Sequence, residues 1–286
     1  MARFTTNDGV GLHYTDSGPK TQSGPGRPVV LVHGYTAPAT AWALTEDALL
    51  DAGHRVVCFD RRSTGDSDTP MFGQRMSRHG RDLAELLAHL DLEGAVLVGA
   101  SMGANVIWAY ADLYGTGALA GVVAVDQTPK MVNTPDWPYG FYGLVPGNVG
   151  TFFAEGVPDT GRGRPTGASA EAMGRLIQRL GGVPAFRDPA APETLGLLQD
   201  HAHQDWRDVV ARASCPVLMV AGRDSQIWPC EHAEAAVRDL PHGRAVVIED
   251  AGHTVSFDQP DALNKVLLDF LASLTETLEG QSSLSP

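Results

Sequence analysis

Cysteine, positive charge and long apolar runs are all scarce in this chain of 286 residues, and each scarcity closes off a class of function. The three cysteines, Cys58, Cys215 and Cys230, are too few and too dispersed for a disulfide framework, and none sits in a nucleophile-like setting. Lys and Arg number 21 against 34 Asp and Glu, a net charge of −13 without any long basic run. That balance argues against nucleic acid and anionic membranes as partners. No apolar run reaches the roughly 18 residues that a membrane span needs. The opening MARFTTNDGVGLHY lacks the apolar core of a secretory signal, so the expectation is a cytoplasmic protein. Zinc-ligand spacings, a P-loop and a dinucleotide fingerprint are missing too, which predicts chemistry without metal or other cofactor.

What the chain does have is an ordinary globular composition, 43% hydrophobic and 19% charged, and a strong alternation of element types. Asn7-Asp8-Gly9 sits between two alternating segments and reads as the turn of an N-terminal hairpin. Residues 19–28 read as a loop rich in Gly, Pro and Ser. Four buried-strand candidates follow: PVVLVHG (28–34), RVVCFD (55–60), AVLVGAS (95–101) and GVVAVD (121–126). Helical patterns at about 41–52, 76–91 and 102–114 separate them, each long enough for a crossover between parallel strands. After Asp126 the rhythm breaks, and 127–168 is dense in Pro, Gly and aromatics before helical patterns at 169–180 and 193–212. It resumes with a strand at 216–222, a helix at 230–239, a strand at 245–250 and a closing helix at 260–274. The pattern predicts an α/β core of residues 1–126 and 214–278 with a mostly parallel sheet covered on both faces. Residues 127–213 read as an inserted cap or lid, because such insertions lie over the strand ends where parallel sheets bind ligands. The polar end, 279–286, is expected to be a disordered tail.

The strongest chemical signal is Gly99-Ala100-Ser101-Met102-Gly103, which follows a buried strand and opens a helix. A nucleophile on so sharp a turn has a strained backbone, and small residues two before and two after it relieve the crowding. The competing bland reading is a glycine turn whose serine only caps the helix; the strand–turn–helix context favours a nucleophilic Ser101. The turn also sets backbone N–H groups where an oxyanion would form, and a second donor comes from the loop after the first parallel strand. We assign these donors to the backbone of Met102 and Tyr35, with His33 holding the loop. His253, on a loop after the last strand, is placed to take the proton of Ser101. The other histidines are weaker candidates, and His201 and His203 in DHAHQDW read as surface or metal-site positions. The charged stretch Asp60, Arg61, Asp66 and Ser67 reads as loop-stabilising.

The His33-Gly34-Tyr35 loop, Asp60-Arg61-Arg62-Ser63-Thr64-Gly65-Asp66-Ser67, Gly99 to Gly103 and the terminal GHTVSFDQP occur in the order of the α/β-hydrolase superfamily, which the chain resembles outside the insertion. One departure is Ser63, which stands where that family usually has glycine. The resemblance implies a serine hydrolase, since the family's dehalogenases and epoxide hydrolases attack with Asp where Ser101 stands here. It also implies a third residue, an acid that usually follows the strand after the cap in a pattern like G-x-x-D-x-x-x-P. Here that stretch is Gly222 to Pro229, and Ser225 holds the acid's place with Asp224 one residue early. A minority of the family carries its acid after the strand before the cap, where this chain has Asp126. Asp126 is therefore the favoured acid and Asp224 the alternative.

The aromatics of 136–144, with Phe152 and Phe153, either wall a pocket or fasten the insertion to the core. The expected substrate is a small apolar or aromatic ester or lactone, acted on by a monomer or homodimer. A perhydrolase of the non-haem haloperoxidase type or a C–C bond hydrolase would use the same three residues, and a slow ligand receptor is the reading from outside enzymology.

Overall fold

The computed structural model describes residues 2–18, 26–165, 167 and 169–282, with the backbone alone described after Leu274. Among the described residues, eight strands form one sheet: β1 (Ala2–Thr5), β2 (Gly11–Ser17), β3 (Pro28–Val32), β4 (Arg55–Phe59), β5 (Val96–Ala100), β6 (Gly121–Val125), β7 (Val217–Gly222) and β8 (Gly243–Ile248). Their spatial order is β1-β2-β4-β3-β5-β6-β7-β8. The hairpin pairs β1 with β2 antiparallel, β2 runs antiparallel to β4, and all pairings from β4 to β8 are parallel. The central strands are continuous apolar runs because both faces are covered. Val30, Val32, Val57, Phe59 and Leu97 face one layer of helices; Val29, Leu31, Val56, Cys58 and Val96 face the other.

The helices are α1 (Ala43–Asp51), α2 (Met76–His89), α3 (Met102–Tyr114), α4 (Ala170–Leu180), α5 (Pro192–Ala202), α6 (Arg207–Ala211), α7 (His232–Val237), α8 (Val255–Asp258) and α9 (Pro260–Ser282). Leu83 and Leu86 of α2 and Ile107 and Trp108 of α3 pack on one sheet face, and Leu49 of α1 with Leu263, Leu267 and Phe270 of α9 on the other. None of these helices is long and apolar enough to cross a membrane, judged over the described residues.

Between β6 and β7 the chain leaves the sheet and, among the described residues, adds α4, α5 and α6, and Met131, Phe141, Phe153, Leu198 and Trp206 of that segment join the α2–α3 side of the core. Two expectations need correction. The single helix expected over 193–212 is broken at His203–Trp206. There Asp205 pairs with Arg207 and forms a bridge with Lys130, and Trp206 N–H donates to the Pro129 carbonyl at 2.9 Å. Those tertiary bonds hold the segment against 128–130 and pull it out of helical geometry. The closing helix also runs to Ser282 rather than stopping at 274; the rest of the expected tail, 283–286, lies outside the described residues, as does most of the 19–28 loop.

Candidate active site

Ser101 links β5 to α3 with φ 51° and ψ −133°, a strained conformation for a residue with a side chain. The turn closes only because its flanks lack side chains: a Cβ on Gly99 would lie 2.5 Å from Ala104 N, and one on Gly103 2.2 Å from Val32 O. The small residues of the motif are thus a packing requirement, and they aim the Ser101 hydroxyl out of the sheet's end.

His253 comes from the loop after β8, and its backbone N–H donates to Gln226 Oε1 at 2.8 Å, which fixes the loop. Its Nε2 lies 2.8 Å from Ser101 Oγ and its Nδ1 lies 2.7 Å from Asp126 Oδ2. The edge-on ring of Trp228, with centroids 5.2 Å apart, buttresses the imidazole from the side. Asp126 follows β6 with φ 44°, a second strained residue, and is fully buried. Its Oδ1 accepts from Gly222 N–H at 2.9 Å and its Oδ2 from Ser225 Oγ at 2.7 Å. His232 Nε2 stands 3.8 Å from Oδ1. Burial alone would raise the Asp126 carboxyl, but the imidazoles of His232 and His253 outweigh it and bring the pKa down to about 2. At neutral pH it is a buried carboxylate, held by one backbone and one hydroxyl donor besides His253.

Ser101, His253 and Asp126 therefore stand in one hydrogen-bonded chain. Asp224 does not join it. Its backbone N–H donates to the Ala251 carbonyl and its own carbonyl accepts from Arg164 N–H, while the neighbouring Arg223 pairs with Glu249.

The Gly34–Tyr35 peptide lies against the serine: a Cβ on Gly34 would be 3.1 Å from Ser101 Cβ and 3.7 Å from its Oγ. Among the described residues, no acceptor takes the N–H of Tyr35 or of Met102, the first residue of α3. Neither N–H is thus engaged by another acceptor there. His33 holds this loop, as its Nδ1–H donates to the Gly34 carbonyl at 2.9 Å and its Nε2 accepts from Arg61 N–H at 3.0 Å.

A cavity of about 230 Å³ opens over Ser101 and His253, walled mostly by apolar groups such as Trp42, Met131, Phe141, Phe153, Trp228 and Phe257. Some aromatics of the insertion line the cavity and others make contacts within the insertion itself. Phe141 and Phe153 face the cavity, whereas Trp137 is tied by its indole N–H to Thr128 Oγ1 at 3.1 Å and Tyr142 lies under Arg162. Sequence reasoning missed Trp228 and Gln127 as lining residues and misplaced His201. His201 is no surface position: it is 3% exposed, lines the cavity, and burial with the nearby Arg61 charge lowers its pKa to about 3. His203, two residues on, is exposed and bonds the Gln199 carbonyl. The signal for the difference was in the spacing, since positions i and i+2 of a helix point to nearly opposite sides.

Among the described residues, one group could bring three metal-binding atoms together, His13 on β2 with Asp60 and Asp66 in the loop after β4, and it does not include Ser101, His253 or Asp126. Its central carboxylate is already engaged, Asp60 Oδ1 by Ala39 N–H at 2.7 Å and Oδ2 by His13 Nδ1 at 3.0 Å and by Asp66 N–H at 3.1 Å.

Residues 27–260 match the family model described as alpha/beta hydrolase fold. A non-heme chloroperoxidase of Kitasatospora aureofaciens is 30% identical over 287 residues, covering 95% of this chain and 99% of the relative. A bifunctional esterase/perhydrolase of Acinetobacter calcoaceticus is 27% identical, covering 96% of this chain and all of the relative. Among solved structures, a thermophilic esterase from Thermogutta terrifontis superposes with a TM-score of 0.73 at 27% identity, covering 96% of this chain and 99% of its own.

Proposed function

This chain belongs to the α/β-hydrolase fold family, and from that premise we propose that it is a serine hydrolase opening carboxylic esters or lactones through an acyl-enzyme on Ser101. The observation that carries the reading is the chain of short contacts from Ser101 Oγ through His253 to Asp126. In the reaction we infer, His253 Nε2 takes the hydroxyl proton as Oγ attacks the substrate carbonyl. The resulting oxyanion is met by the N–H groups of Tyr35 and Met102. The alcohol leaves with the proton returned by His253, and a water activated by the same nitrogen then releases the acid. Asp126 stays ionised throughout and holds the imidazole with its Nδ1–H inward.

The small apolar cavity supports an ester or lactone with an apolar or aromatic acyl part of modest size. We take residues 127–213 to be its cap. A second reading, perhydrolysis, is favoured by the likeness to the bifunctional esterase/perhydrolase: hydrogen peroxide in place of water would release the acyl group as a peracid.

A fluorophosphonate should label wild type and leave Ser101→Ala unlabelled, since only this hydroxyl can form the covalent adduct. The variant should also lose turnover of p-nitrophenyl esters, and equal labelling of both proteins would overturn the assignment. Peracid formation from a short carboxylic acid and peroxide, measured on the same preparations, separates the two readings.

A further inference from the structure

Two arginines follow β4, and they are buried in different company. Arg62 is fully buried and forked onto Asp82, with Nε at 2.6 Å and Nη2 at 2.8 Å from the two carboxylate oxygens. Arg61 is 2% exposed, yet no carboxylate among the described residues pairs with it. Its Nη2 donates to the Gly34 carbonyl at 2.7 Å, and its Nη1 donates to His79 Nδ1 at 3.1 Å and meets Met102 Sδ at 3.7 Å. His79 and His33 are held neutral, by burial first and then by the Arg61 charge itself. Burial draws the Arg61 pKa down to about 10, which leaves it charged at neutral pH.

A buried cation is costly, and the groups hydrogen-bonded to this one are neutral; the Asp82 carboxylate, forked onto Arg62, favours its charge only through space. Its position shows what it acts on. The Gly34 carbonyl that accepts from Arg61 belongs to the same peptide as the Tyr35 N–H, and the thioether beside it belongs to Met102, so the guanidinium touches the peptide that carries one assigned donor and the side chain of the residue that carries the other. A hydrogen bond from a cation to one end of a peptide strengthens the donor at the other end. The far end of Tyr35 is anchored as well, its hydroxyl donating to the Pro189 carbonyl at 2.7 Å.

We propose that Arg61 is a positioning residue of the oxyanion hole: it fixes and polarises the Gly34–Tyr35 peptide and supplies positive potential where negative charge develops. The proposal rests on the acyl-enzyme reading above. It differs from a purely loop-stabilising role, because its effect falls on the transition state and not on substrate binding.

The test compares wild type with Arg61→Met and Arg61→Lys. Each is assayed with p-nitrophenyl butyrate, with a trifluoromethyl ketone of the same acyl length, whose adduct on Ser101 carries an oxyanion, and with the matching uncleaved amide. For Arg61→Met, kcat should fall about 10- to 100-fold, less than the loss from deleting a donor outright, with KM within about threefold. Affinity for the trifluoromethyl ketone should fall by a similar factor and affinity for the amide should hold. Arg61→Lys should lie between, as an ammonium keeps the charge but lacks the fork that reaches both residues. Unchanged kcat and ketone affinity in Arg61→Met, or equal losses for ketone and amide, would overturn the proposal. If Arg61→Met does not fold, the ketone-to-amide comparison in Arg61→Lys decides by the same criterion. A wild type that neither reacts with fluorophosphonate nor turns over ester would instead sink the acyl-enzyme reading, so the two failures are distinct.

Discussion

Replacing Asp126 with Asn tests the assignment of the acid, and the geometry dictates which way the new amide must turn. Both carboxylate oxygens are acceptors in the native site: Oδ1 for Gly222 N–H at 2.9 Å, Oδ2 for Ser225 Oγ at 2.7 Å and for His253 Nδ1 at 2.7 Å. An amide must put its NH2 at one of the two places. At Oδ1 it would meet a backbone N–H that cannot turn away. At Oδ2 it meets a hydroxyl that can rotate to accept, and an imidazole that can move its proton to Nε2. The NH2 therefore faces His253, and the ring is left with a proton on the nitrogen that should receive one from Ser101. Wrong-tautomer changes of this kind cost about 10⁴ in turnover in a serine protease triad, so we expect a loss of about 10³–10⁴ for Asp126→Asn. Asp224→Asn should stay near wild type, as that side chain makes no bond to His253. Because Ser225 Oγ already touches Oδ2, a carboxylate grown there can approach the same ring nitrogen. Ser225→Asp placed in the Asp126→Asn background should recover part of the loss, whereas Ser225→Asp alone sets two carboxylates together and should be destabilised. The four proteins should be compared by kcat/KM on one p-nitrophenyl ester, with folding checked by circular dichroism. A crippled Asp224→Asn beside a near-normal Asp126→Asn would refute the reasoning.

Two further predictions concern stability. Asp82→Ala would take the bidentate partner from the buried Arg62 and leave it, among the described residues, only Asp8, at 3.2 Å, so it should cost less in denaturant unfolding than the loss of about 3–5 kcal/mol for a wholly unpaired buried charge while leaving turnover per folded molecule unchanged. The second is a pH dependence: His33, His79 and His201 all have their pKa lowered in the fold, chiefly by burial. Below about pH 6.5 the unfolded chain takes up protons that the folded one refuses, so stability falls as pH falls through that window, by as much as about 4 kcal/mol per unit for three sites. Asp126 adds a loss in the same direction only lower down, between the ordinary carboxylate range and about 2. Urea unfolding at pH 7, 6 and 5 should show the slope, and His201→Phe should remove about one proton of it; a flat profile would contradict the neutral, buried assignment.

The parallel strands were legible because burial on both faces leaves only one kind of residue for them. PVVLV and GVVAV need no tertiary knowledge to be recognised as interior. The segment between β6 and β7 was legible only as an interruption. Its course depends on single long-range bonds, such as Trp206 N–H to Pro129, that no periodicity encodes, and the break between α5 and α6 follows from them. Ser63 shows the same limit at one residue. The family places glycine there, and Ser63 indeed sits at φ 63°, but that it is fully buried and accepts from Gln74 Nε2 at 3.0 Å is visible only in three dimensions.

In the candidate site, legibility followed how tightly the local backbone constrains residue type. The turn at Ser101 demands small neighbours, and those demands are written in adjacent letters. The acid is a subtler case, in which a register argument over Gly222 to Pro229 put a hydroxyl in the usual acid position and a carboxylate at the end of β6. In the structure these two side chains touch, Ser225 Oγ to Asp126 Oδ2. The serine at the family's usual acid position is a donor to the Asp126 carboxylate. A sequence bearing Asp in both places would have to bury two like charges at one point, and a sequence bearing neither would leave His253 Nδ1 without an acceptor. The two positions constrain each other physically. Serine at 225 was therefore an informative letter in the sequence, because its meaning depends on the residue 99 positions before it.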